Sequence, residues 1–132
     1  MNQRPRIRDY MATQVATFKP DMEILRAMEL LIEKKFSGAP VVDEGGRLIG
    51  VLSKKDCLKA VLNASYHQEW GGKVADYMSR TVETLDANLD LVAAAERFLA
   101  SHYRRFPVME DGRMIGQISR ADLLRALVGQ WR

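Results

Sequence analysis

Apolar residues fall at helical spacing twice along the chain. Ile24, Leu25, Met28, Leu31 and Ile32 make one stripe, and the spacing predicts a helix from Met22 to about Lys35. Lys19-Pro20-Asp21 stops the preceding segment and offers Asp21 as the N-cap. Leu91, Val92, Ala95, Phe98 and Leu99 repeat the inward stripe behind Asn88 as cap. Short apolar runs between turn residues predict strands. Val15–Phe18 is one; Ala39–Val42 and Leu48–Leu52 flank a Glu44-Gly45-Gly46 turn, a hairpin signal. A second helix is predicted from Lys54 to Leu62, and Asp111-Gly112 marks the matching turn further on. Each half therefore reads β-α-β-β-α with a short helical lead-in, an α/β architecture.

The two halves are copies. Asp9-Tyr10-Met11 recurs as Asp76-Tyr77-Met78, and Arg47-Leu48-Ile49-Gly50 as Arg113-Met114-Ile115-Gly116. Ser53-Lys54-Lys55-Asp56 recurs as Ser119-Arg120-Ala121-Asp122, and Gly46 alone lacks a counterpart. Aligning Ile7–Ala60 with Val74–Ala126 gives 17 identities in 53 pairs, against about 3 at average residue usage. Two copies at this period mean a duplicated domain rather than an array. The expected division is 1–62, a linker at 63–73, and 74–132. The linker is polar and Gly-punctuated, with Tyr66 and Trp70 expected to pin it to the body. A half of this size buries too little apolar surface alone, so the halves are expected to pack together.

Of the 132 residues, 47% are hydrophobic and 28% charged, which suits a globular protein of one or two small domains. A net charge of +3 is too small to point to nucleic acid. One cysteine excludes an intrachain disulfide, and two histidines argue against a zinc site. No apolar run reaches membrane-spanning length and no secretory signal opens the chain, so a cytoplasmic protein is expected.

Phosphate loops, dinucleotide fingerprints and metal spacings are missing from the sequence. Cys57 reads as a small core side chain, since Leu123 fills its position in the second copy. Neither His67 nor His102 has an evident acid or nucleophile beside it. No catalytic residue is assigned. The chemistry concentrates at Ser53-x-x-Asp56 and Ser119-x-x-Asp122. One reading is a capping box that opens a helix. The other is an anion site. Lys54, Lys55 and Arg120 add cations where the helix is already electropositive. Backbone N–H groups at a helix start suit phosphate, and a carboxylate there can accept from both hydroxyls of a ribose. Arg104-Arg105 reads either as a solvated helix end or as a second phosphate clamp.

These residues resemble the cystathionine-β-synthase (CBS) domain family. The matching elements are Asp-Tyr-Met before the first strand, the strands Gly38–Asp43 and Arg105–Glu110, and Arg-x-Ile-Gly followed by Ser-x-x-Asp, in both copies. The resemblance implies a tandem pair with pseudo-two-fold symmetry, often called a Bateman module. It also implies a regulatory, non-enzymatic role, in which an adenine nucleotide (AMP, ADP or ATP) is the ligand and no cofactor is required. By the family pattern, one cleft would join Ser119, Arg120 and Asp122 to Ala12, Thr13, Ser37, Gly38, Ala39 and Pro40. The other would join Ser53, Lys54, Lys55 and Asp56 to Ser79, Arg80, Arg104, Arg105, Phe106 and Pro107. Signalling to a regulated protein is implied too, with a ligand-free interaction module as the alternative. Apolar residues nearly encircle Met22–Ile32, so a homodimer through the helices is expected.

Overall fold

The computed structural model describes residues 4–67 and 71–131. They divide into two compact units, and the division does not follow the boundary between the sequence copies. Ala16–Val82 forms one, here the central unit. The described residues up to Val15 join Glu83–Arg132 in the other, the terminal unit. Each copy thus takes its helical lead-in from the other copy's stretch of chain. The lead-in of the second copy, 71–79, lies in the central unit, and that of the first, 4–12, in the terminal unit.

The central unit contains helix α1 (Ile24–Lys34), strands β1 (Gly38–Val42) and β2 (Leu48–Ser53), helix α2 (Lys54–His67) and the short helix α3 (Val74–Tyr77). β1 and β2 form an antiparallel hairpin in which Gly38 pairs with Ser53 and Pro40 with Val51. Asp43 Oδ1 closes the turn by accepting from the N–H groups of Gly45 and Arg47, both at 2.9 Å. The expected strand at Val15–Phe18 contracts to a single bridge between Phe18 and Val41. Pro20 follows within two residues and has no N–H to extend the pairing. α1 begins at Ile24, and Asp21 does not cap it; the N-cap is Glu23, without a side-chain bond. The cause is the visiting lead-in: Val74 N–H donates to Met22 carbonyl at 2.8 Å and Ile24 N–H to Gly72 carbonyl at 3.0 Å. Glu23 is held extended, and neither it nor Met22 joins the helix.

The terminal unit has a 3-10 turn at Ile7–Asp9, strand β3 (Leu85–Asp86), helix α4 (Leu91–Leu99), strands β4 (Arg105–Glu110) and β5 (Arg113–Ser119), and helix α5 (Arg120–Trp131). β3 pairs parallel to β4, and β4 antiparallel to β5. Asp111 and Gly112 turn the hairpin with φ of 51° and 79°, the left-handed pair that an Asp-Gly turn supplies. The N-cap of α4 is Asp90, whose Oδ1 accepts from Ala93 N–H at 2.8 Å, and not Asn88. Asn88 instead holds the lead-in: its Oδ1 accepts from Arg8 at 2.9 Å, and Arg8 also pairs with Glu110.

Each unit has its own core. Phe18, Ile24, Ala27, Leu31, Val41, Leu52, Cys57 and Val74 fill the central one. Ile7, Leu85, Ala94, Phe98, Phe106, Val108, Ile118 and Leu123 fill the terminal one. Burial of large apolar side chains such as Phe106 and Ile7 stabilises each unit by roughly 1.5–3 kcal/mol per residue. The inward stripes are narrower than the sequence pattern implies. Leu25, Ile32, Val92 and Leu99, expected inside, are 51, 71, 61 and 88% exposed. Ala27 and Ala94, both fully buried, take the inner positions.

α2 runs five residues beyond its expected end, through Asn63–His67, so the first part of the expected linker is helical. Ala64 is buried and Asn63 Nδ2 donates to the Tyr77 hydroxyl at 3.0 Å, which anchors that extra length. Tyr66 does not pin it; its side chain is 78% exposed. Trp70 lies outside the described residues. Among the described residues no helix is long and apolar enough to cross a membrane, and no group of three or more His, Cys, Asp and Glu could hold a metal ion.

Candidate functional site

The two Ser-x-x-Asp elements open α2 and α5 with matching geometry. Ser53 N–H donates to Asp56 Oδ2 at 2.9 Å, and Asp56 N–H donates to Ser53 Oγ at 3.1 Å. Ser119 and Asp122 do the same at 2.9 and 3.1 Å. The capping-box reading is therefore realised in both copies. The box also fixes each carboxylate rigidly at a helix start. A further backbone bond is duplicated: Lys54 N–H donates to Ser37 carbonyl at 2.9 Å and Arg120 N–H to Arg104 carbonyl at 3.0 Å. Neither bond uses the N–H of Lys55 or of Ala121, the second donor of each first turn.

Asp56 is buried, and Asp122 is half-buried at the equivalent place. The Oδ1 atoms, turned away from the cap, meet different neighbours. Lys59 Nζ lies 3.7 Å from Asp56 Oδ1, whereas Arg125 donates to Asp122 Oδ1 at 2.6 Å. Both partners sit three residues after their carboxylate, an i, i+3 spacing legible in the sequence. Cys57, next to Asp56, is a core side chain; desolvation first, and the Asp56 charge second, push its thiol pKa up.

In the central unit the hairpin brings Ser37 and Gly38 to Ser53, through the Gly38–Ser53 pairing and the Lys54–Ser37 bond. Ser79 and Arg80 arrive with the lead-in: Val51 and Ser79 exchange N–H bonds of 2.9 Å each way. Ser37, Lys54, Lys55, Ser79 and Arg80 are exposed, while Ala39 and Pro40 are buried. In the terminal unit Arg105 pairs with Ser119, and Ala12 and Gln117 exchange bonds of 2.8 and 2.9 Å, bringing Thr13 alongside. Ala12, Thr13, Arg104, Arg105 and Arg120 are exposed. Phe106 is not: its ring is wholly buried, 4.8 Å from the Phe98 ring, so its side chain belongs to the core. Pro107 is buried as well.

Each unit thus gathers one helix start, one hairpin edge and one lead-in: Ser37–Pro40, Ser53–Asp56 and Ser79-Arg80 in the central unit, and Arg104–Pro107, Ser119–Asp122 and Ala12-Thr13 in the terminal unit. A cavity of about 760 Å³ in the central unit lies elsewhere, between Lys59, Asn63, His67 and Tyr77.

The family model of the CBS domain matches residues 7–63 and 74–129. The chain belongs to the CBS-domain family. Its α/β fold is that of a CBS pair: the solved structure of CBSX2 from Arabidopsis thaliana in complex with AMP superposes with a TM-score of 0.82 at 30% identity, over 96% of this chain and 98% of that one. Among curated proteins, uncharacterized protein MJ1225 of Methanocaldococcus jannaschii is 29% identical over 95% of this chain. The A-adding tRNA nucleotidyltransferase of Aquifex aeolicus is 30% identical over 92% of it. The chain spans 44% of the first and 14% of the second, so in those relatives the CBS pair accompanies other sequence.

Proposed function

We propose that this CBS pair is a regulatory module that binds an adenosine-containing nucleotide (AMP, ADP or ATP) at the helix starts of α2 and α5 and signals to a protein partner by a shift in conformational population. The observation that supports it most is the duplicated helix start, in a chain that resembles CBSX2, a protein solved with AMP. In this reading Asp56 and Asp122 accept from ribose hydroxyls, and Ser53 and Ser119 hold the carboxylates in place. The N–H groups of Lys55 and Ala121 face the phosphates, helped by the side chains of Lys54, Lys55, Arg80, Arg104, Arg105 and Arg120. Ala12, Thr13, Ser37, Gly38 and Ser79 line the approach, with the main chain of Ala39, Pro40, Phe106 and Pro107 beside them. The role is non-enzymatic: each Ser Oγ accepts from a backbone N–H of its own helix, and among the described residues no base takes a hydrogen bond from its hydroxyl.

Thermal unfolding with AMP, ADP and ATP, and with inorganic polyphosphate as control, tests the reading. A nucleotide at 100 times its Kd adds about 2.7 kcal/mol of stability. Equal responses to polyphosphate and nucleotides, or none, would refute it.

A second reading, an interaction module that pairs as a homodimer, is supported by exposed apolar side chains at helical spacing: Leu58, Leu62 and Tyr66 on α2, and Leu124, Val128 and Trp131 on α5. Light scattering at micromolar concentration would give twice the chain mass, and a Leu58→Lys/Leu124→Lys double variant would return it to one. A wild-type monomer would rule this reading out.

A further inference from the structure

The cations three residues after the two carboxylates occupy equivalent positions and behave differently. Asp122 has both oxygens engaged: Oδ2 accepts from Ser119 N–H at 2.9 Å and Oδ1 from Arg125 at 2.6 Å. In the central unit Asp56 Oδ2 is held by Ser53 N–H at 2.9 Å, but Lys59 stands off at 3.7 Å, beyond hydrogen-bond distance from Oδ1. A guanidinium is a planar fork that matches a carboxylate edge; an ammonium on a flexible stem is a hydrated point charge that stays loose. A vicinal diol needs two acceptor positions on the carboxylate edge that faces away from the cap. At Asp56 that edge is free of a direct bond. At Asp122 it is occupied, and the occupant is a solvent-facing side chain, 71% exposed, that can swing away.

We propose that Arg125 is a latch on Asp122, so that the α5 site accepts a ribose only when the guanidinium gives way, while the α2 site is open from the outset. Arg125 is a specificity-determining residue in this scheme, and Lys59 is its permissive counterpart. The proposal rests on the reading of the two helix starts as nucleotide sites. It adds an order of filling: α2 first, α5 at higher ligand concentration. An exposed ion pair contributes about 0.2–1 kcal/mol, so the latch holds the two affinities about 1.4- to fivefold apart.

Exchanging the two cations tests it without changing net charge. Adenosine is the probe, because it carries the diol and no phosphate, and calorimetry on the full chain is the measurement. Asp56→Ala and Asp122→Ala variants identify which binding event belongs to which site. Arg125→Lys tightens adenosine about 1.4- to fivefold at the α5 site. Lys59→Arg weakens it by a similar factor at the α2 site. 2′-Deoxyadenosine, which keeps only the 3′-hydroxyl of the diol, responds less to each exchange. Adenosine binding that ignores both exchanges overturns the latch and leaves the nucleotide reading standing. Failure of adenosine and AMP to bind any form, wild type included, overturns the nucleotide reading and the latch with it.

Discussion

The backbone of Gly50 lies against the carbonyl of Ser79: a Cβ at Gly50 would come within 2.7 Å of that oxygen and 2.8 Å of the Met78 sulfur. Gly116 stands in the same relation to Ala12, at 2.6 Å from its carbonyl and 2.6 Å from the Met11 sulfur. The glycine of each Arg-x-Ile-Gly element is therefore the seat on which the visiting lead-in rests. The backbone oxygen cannot retreat without loss of the neighbouring N–H bonds, Val51 with Ser79 and Ala12 with Gln117.

Gly50→Ala and Gly116→Ala are each expected to destabilise the protein by about 1–3 kcal/mol, as overpacking does. Gly46→Ala relieves no clash, since its surroundings are open, and is limited by its φ of 80°. Urea denaturation of the three variants compares the two effects. A Gly50→Ala protein as stable as wild type would show that the lead-in does not sit as described.

Asp90→Ala is expected to cost about 1 kcal/mol, because it removes the side chain that caps α4. Asp21→Ala is expected to be near neutral, since α1 starts after Glu23. Equilibrium denaturation distinguishes the two. Equal losses would restore Asp21 as a cap.

Arg8→Met is expected to loosen the lead-in of the terminal unit, because Arg8 ties Asn88 and Glu110 to residues 4–12. The global cost is at most about 1 kcal/mol for a half-exposed pair. The local effect is the sharper readout: amide exchange at Ala12 and Gln117 speeds up, while exchange in the central unit is unchanged.

Burial and the neighbouring Asp56 charge hold the Cys57 thiol above its ordinary 9.0. The sign follows from linkage: the unfolded thiol loses its proton first, so stability is full below that value and falls as pH rises toward the folded pKa. Cys57→Ala is expected to flatten the alkaline side of the stability profile. Alkylation of wild type near neutral pH is slow until denaturant is added. Fast labelling of the native protein would contradict the burial of this side chain.

The hairpins, the second helices and the duplicated capping boxes were legible because their signals are local: an Asp-Gly turn, a two-residue alternation, a Ser three residues before an Asp. The helix starts at Asp21 and Asn88 were misread for the opposite reason. Nothing near Met22 announces that residues 72–74 will pair with it from the far side of the linker. The same exchange decides which candidate residues meet. Ser79 and Arg80 reach Ser53, and Ala12 and Thr13 reach Ser119, through bonds between segments distant in sequence. Phe106 looked available beside two arginines, yet strand alternation turns it inward against Phe98. Arg125 was within reach of sequence reasoning, as an i, i+3 pair with Asp122, but only geometry separates it from Lys59.

The exchange of lead-ins also sets an order of assembly on the ribosome. Every residue of the central unit lies within Ala16–Val82, so that unit has its full complement of partners once Val82 has emerged. The lead-in of the first copy, residues 4–12, is in another position. Ala12 bonds to Gln117, so that lead-in stays unmatched while about a hundred further residues are made. Domains fold as units, in order of synthesis. The terminal unit therefore closes after the central one, around a segment made before it.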